Sequence, residues 1–91
     1  SPDLMKSFNQ LSQTAMRDGV IDPKTKEMIA LGIGVASRCD GCIGFHVRTL
    51  VKMGMTLQEL EELLGVAVYM GGGPSLMYAA NALDAFKEFS S

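Results

Sequence analysis

From Leu4 onward, apolar residues return every three or four positions, at Phe8, Leu11, Ala15 and Met16, with polar residues between them. This is one face of a 3.6-residue period. It predicts an amphipathic first helix, stopping near Asp18-Gly19, whose role is packing. Asp22-Pro23 then supplies an N-cap and a first-turn proline for a second helix running to about Ser37. Met28, Ile29, Leu31, Ile33 and Val35 make that helix apolar on nearly every side, which predicts a central position. Gly32 and Gly34 lower its helix propensity, and close approach of a neighbouring helix is the expected compensation.

A third helix is expected to start between Ser37 and Cys39 and to end at Gly54, a suitable C′ residue. Thr56 and Glu59 stand at capping-box spacing, with Met55 and Leu60 placed as a hydrophobic staple. They open a fourth helix that carries Glu59, Glu61 and Glu62 as a solvated face and halts at Gly71-Gly72-Gly73, read as a hinge. Pro74 opens a fifth helix, PSLMYAANALDAFKEF. No period-two alternation and no Asn-Gly or Asp-Gly turn argues for strands. The expected fold is therefore all-α: one domain over residues 1–91, a compact bundle of about five helices with short joints, in which Met55 to Ser91 serve as scaffold.

Composition changes this picture in three ways. A 91-residue chain buries a modest core, yet 47% of its residues are hydrophobic and seven are Met. Some apolar surface is therefore expected to be buried between copies, making the protein a homo-oligomer. A net charge of −2 offers no basic stripe for phosphates, which argues against nucleic acid as a partner. Gly, Lys or Glu interrupts every apolar run well before 18 residues, and no basic-then-apolar leader opens the chain, so no membrane association and a cytoplasmic location are expected. The chain opens on Ser1 rather than Met, which leaves room for a segment upstream.

Both cysteines and the only histidine lie within SRCDGCIGFHVRTL. On a helix at about 100° per residue, Cys39, Cys42 and His46 share one narrow stripe. His46 follows Cys42 by four residues, the spacing at which helix neighbours touch, so the imidazole can take the Cys42 proton. Cys39 falls in or just before the first turn, where free N–H groups and the helix dipole favour an anionic sulfur. A C-x-x-C pair on one turn also closes into a disulfide with little backbone movement, which lets one sulfur attack and the other resolve. A basic imidazole needs a partner on its other nitrogen. Glu27 is the candidate, a carboxylate set among Met28, Ile29, Ala30 and Leu31 and expected to point inward with Leu31 and Gly34. The plainer alternative makes it a surface residue paired with Lys24 or Lys26.

Glu27, Cys39, Cys42 and His46, spaced E-x11-C-x2-C-x3-H, resemble the AhpD-like branch of the carboxymuconolactone decarboxylase family. The resemblance runs from about Ile21 to Phe86. It implies an all-α fold and an alkyl hydroperoxidase or thiol-disulfide oxidoreductase that needs no cofactor and no metal. In that role Glu27 relays protons to His46, His46 activates Cys42, and Cys39 completes the disulfide. It also implies a hydroperoxide or disulfide substrate, a reductant that is a thiol protein or small thiol, and assembly into trimers or hexamers. The chain departs from some AhpD-like proteins at Gly41, where they carry a second histidine.

Three other readings compete with this one. Cys39, Cys42, His46 and Glu27 could bind zinc in a non-catalytic assembly module. Two buried cysteines and a satisfied core histidine could be purely structural. Glu27 and His46 could serve a decarboxylase-like lyase without the thiols. Haem attachment is ruled out because Ile43, not histidine, follows Cys42.

Overall fold

The computed structural model describes all residues from Ser1 to Ser91 and contains five α-helices and no strand. They are α1 (Pro2–Met16), α2 (Pro23–Ala36), α3 (Asp40–Lys52), α4 (Leu57–Gly71) and α5 (Ser75–Ser90). The starts follow the caps read from the chain. The Asp22 carboxylate accepts from the Thr25 amide and hydroxyl at the head of α2, and these bonds hold its carboxyl below the usual range. Thr56 and Glu59 form the reciprocal capping box of α4, with Glu59 accepting from the Thr56 amide at 2.8 Å. That bond, and then Lys24, lower the Glu59 pKa. Both carboxylates therefore favour the folded chain above the ordinary carboxylate range, and the contribution fades as pH falls through the lowered values.

The core is assembled by α2, α3, α4 and α5. Leu31, Val35, Ile43, Val47, Leu50, Leu60 and Ala82 are almost fully enclosed, and Met55 joins them as the predicted staple. Central placement of α2 holds in the sense that it touches every other helix. Its glycines permit this. A Cβ on Gly32 would come within 3.2 Å of Leu63 on α4, and one on Gly34 within 3.1 Å of the Cys42 Cβ on α3. The Lys24–Glu59 ion pair, 3.0 Å, fastens the start of α2 to the start of α4.

Three expectations need correction. The first helix does not pack into the chain: α1 has no buried residue, and Leu4, Met5, Phe8 and Leu11 all lie exposed. The other four helices already close the core, and α1 touches α2 alone. The three glycines after α4 form a packed corner rather than a hinge, since a side chain on Gly71 would collide with Ser75 and with Ala36 of α2, while Gly72 turns at φ +81°. Pro74 precedes the first turn of α5 as its N-cap rather than lying in it. No helix is long and apolar enough to cross a membrane.

Candidate functional site

The joint between α2 and α3 carries the site. Gly34, Val35, Arg38 and Cys39 close α2 in a Schellman arrangement: the Cys39 amide donates to the Gly34 carbonyl at 2.9 Å and the Arg38 amide to the Val35 carbonyl at 3.2 Å. This motif needs a residue in the left-handed region, ordinarily glycine. Arg38 occupies it at φ +59°, the one non-glycine residue of the chain at positive φ. The end of α3 uses the same device with glycine, Gly54 at φ +84°. Placing a Cβ in this region costs about 1–2 kcal/mol, and glycine at a fixed position costs roughly 0.5–1 kcal/mol in chain entropy. Arg38→Gly is therefore expected to stabilise the protein by about 0.5–1 kcal/mol. Urea titration checks this, as a higher midpoint with an unchanged slope.

Cys39 ends one helix and begins the next. It is the N-cap of α3, and its Sγ accepts from the Cys42 amide at 3.3 Å. Cys39 and Cys42 are joined as a disulfide with Cα atoms 5.3 Å apart, and both residues are half-buried. One turn further along α3, His46 Nδ1 lies 2.6 Å from Glu27 Oε2. Glu27 is 8% exposed and faces inward beside Leu31 and Gly34. Facing a carboxylate, which only accepts, Nδ1 is the donor, and in the neutral form of the ring the lone pair then sits on Nε2. Phe45 meets the His46 ring edge-on, with centroids 5.2 Å apart.

All four residues singled out from the spacing thus lie on the facing sides of α2 and α3. The alternative of a surface Glu27 does not hold: Lys24 pairs with Glu59, and Lys26 donates to the carbonyls of Ala15 and Arg17. In the disulfide form the imidazole hydrogen-bonds Glu27 and neither sulfur. The zinc arrangement is not assembled either, because the sulfurs bond each other and no three His, Cys, Asp or Glu side chains converge on a metal position.

One contributor escapes sequence reasoning. Asn81 of α5 donates through Nδ2 to Asp40 Oδ1 at 3.3 Å, so the turn between the cysteines is fastened to a helix read as scaffold. Its only signal is an amide in the otherwise apolar run YAANAL. Gly34 meets its expectation: its missing side chain lets α2 approach the backbone that carries Cys42.

The site is thus an all-α bundle with a cysteine pair at a helix start and a histidine–carboxylate pair one turn on. The chain belongs to the carboxymuconolactone decarboxylase family, whose model matches residues 2–85. The AhpD-like core read from the cysteine spacing is consistent with that membership. Among solved structures, the Legionella pneumophila family protein lpg0406 superposes with a TM-score of 0.95 at 62% identity, covering 99% of this chain and 80% of that one. Thermotoga maritima TM1620, a family member discussed in terms of an antioxidative response, gives a TM-score of 0.87 at 32% identity, covering 92% and 87%. An uncharacterized protein of Cupriavidus necator is 36% identical over 85 residues, 93% of this chain and 75% of the relative.

Proposed function

We infer that the protein is a thiol-dependent oxidoreductase that cycles Cys39 and Cys42 between dithiol and disulfide, acting on a hydroperoxide or on a disulfide partner. The observation that carries this reading is the 2.6 Å Glu27–His46 bond beside a closed C-x-x-C pair, an oriented base next to a redox couple. The antioxidative setting suggested for TM1620 points the same way.

In the reduced protein His46 Nε2 takes the Cys42 proton, with Glu27 stabilising the imidazolium through Nδ1. The Cys42 thiolate attacks one peroxide oxygen, the O–O bond breaks, and the alcohol leaves after receiving that proton. A sulfenic acid remains on Cys42. Cys39 then attacks this sulfur, the S–O bond breaks, and water leaves with the Cys39 proton as the disulfide forms. Two thiols are oxidised and the hydroperoxide is reduced. A thiol reductant regenerates the pair and is itself converted to a disulfide. It attacks Cys42, because the departing Cys39 thiolate is received by the Cys42 amide in the first turn of α3. Disulfide substrates enter through the same exchange, with a mixed disulfide in place of the sulfenic acid.

The test is stoichiometric. Fully reduced protein given less than one equivalent of an alkyl hydroperoxide, or of a small disulfide, is expected to lose two thiols per oxidant consumed. Alkylation followed by mass measurement reads this loss. Persistence of both thiols against both oxidants overturns the reading.

A further inference from the structure

Arg38 borders the cysteine pair against the preference of its own backbone. It is the one non-glycine residue at positive φ, in a turn that the end of α3 makes with glycine, and replacing it by glycine is expected to stabilise the chain. A side chain that costs stability where it sits, directly before Cys39, points to a use outside the fold. Its charge has no partner within the chain. The ion pairs of the structure are Lys24–Glu59 and His46–Glu27, and the Arg38 side chain lies exposed. Asp40, the carboxylate nearest in sequence, takes the Asn81 amide at 3.3 Å through Oδ1 and leaves the guanidinium unpaired.

Resting on the thiol oxidoreductase reading above, we propose that Arg38 anchors a carboxylate on the substrate, so that the preferred oxidant is a hydroperoxide with an acid group on an apolar body. A guanidinium is always charged and presents a planar fork that a carboxylate fits with two hydrogen bonds. The apolar body has a place as well. Phe45 follows Cys42 by three residues, at helix-neighbour spacing, is 66% exposed, and meets the His46 ring edge-on. Hydrocarbon laid on Phe45 is held beside the imidazole and the attacking sulfur. Arg48, the other arginine of this segment, does not compete: two residues past His46 on α3, it is turned by about 200°, away from the cysteine stripe. The chemistry is that of the dithiol cycle. The O–O bond breaks, the two thiols become the disulfide with release of one water, and the substrate leaves as the hydroxy acid.

The test compares a medium-chain fatty-acid hydroperoxide with its methyl ester, which share the reacting group and differ in charge. Peroxide consumption with a small thiol as reductant gives kcat/KM for each. Wild type is expected to favour the acid by about fivefold, the upper end for an exposed ion pair, and the preference is expected to shrink as salt is added. Arg38→Gln and Arg38→Gly are expected to bring the acid-to-ester ratio to about one, Arg38→Lys to keep part of it, and Arg48→Gln to keep the wild-type ratio. The ratio isolates the anchor, because a cation that only favoured the Cys39 thiolate would speed both substrates equally. Relieved of its left-handed side chain, the glycine variant is not lost to misfolding. A wild type that does not favour the acid, a preference that survives both Arg38→Gln and Arg38→Gly, or one abolished by Arg48→Gln overturns the anchor and leaves the dithiol cycle standing. Consumption of neither substrate by wild type is instead the failure of the cycle, and the anchor falls with it.

Discussion

Cys42→Ser is expected to reduce thiol-dependent hydroperoxide consumption to the rate measured without protein, and Cys39→Ser to do the same under turnover. Serine preserves the size of each side chain, so the joint between α2 and α3 survives and the loss reports chemistry rather than folding. The two variants fail differently. Without Cys42 no sulfur stands one turn from His46 to attack. Without Cys39 the first attack still takes place, but the sulfenic acid on Cys42 has no partner, so a single turnover consumes one peroxide and further oxidant drives over-oxidation. Peroxide assays under single and multiple turnover, with mass measurement of the product, distinguish these outcomes. Wild-type turnover by either variant removes the dithiol cycle from consideration. Retention by both variants of an activity on a small acid points to the lyase chemistry in the family's name.

Glu27→Gln is expected to lower the rate by about 10²-fold or more, within the range by which a positioned general base accelerates a reaction. The reason lies in tautomers rather than shape. The carboxylate can only accept, and so fixes the proton on Nδ1 of His46 and leaves Nε2 free to receive one. An amide can donate to Nδ1 instead, which moves the ring proton to Nε2 and removes the base. Because the amide matches the carboxylate in size and can still hydrogen-bond, this inward-facing site stays filled and stability changes little by comparison. The defect is expected to be largest near neutral pH and to shrink in alkali, where the thiolate forms without help from the ring. Rates of Cys42 alkylation against pH, taken on reduced protein, give a readout that a purely structural role would leave unmoved. His46→Gln is expected to share this profile, and wild-type alkylation rates in Glu27→Gln overturn the relay.

Much of the fold was legible because each helix announces its own start. Asp22, Thr56 and Pro23 act within a few residues of themselves, and Gly54 stops α3 as a C′ glycine should. The inward position of Glu27 was readable for the same reason, since helical period alone sets it on the face of Leu31 and Gly34. What stayed hidden depends on residues far apart or on rules broken locally. Asn81 and Asp40 meet across 41 positions of chain, and nothing in either neighbourhood names the other. Arg38 holds a conformation that its residue type disfavours, so propensity argues against the turn it makes. The amphipathic pattern of α1 names the residues that share one apolar face but not what that face meets, and in the structure the face lies exposed.

The double duty of Cys39, closing α2 while opening α3, links folding to electron affinity through a closed thermodynamic cycle. Unfolding the dithiol and the disulfide forms separately, and comparing the two free energies, yields the shift in midpoint potential that the native fold imposes on its sulfurs, at about 1.4 kcal/mol for each 30 mV. Any substitution at this corner that stabilises one form over the other must change the oxidising power of the protein by the same amount. Chemical denaturation thus becomes an electrochemical measurement.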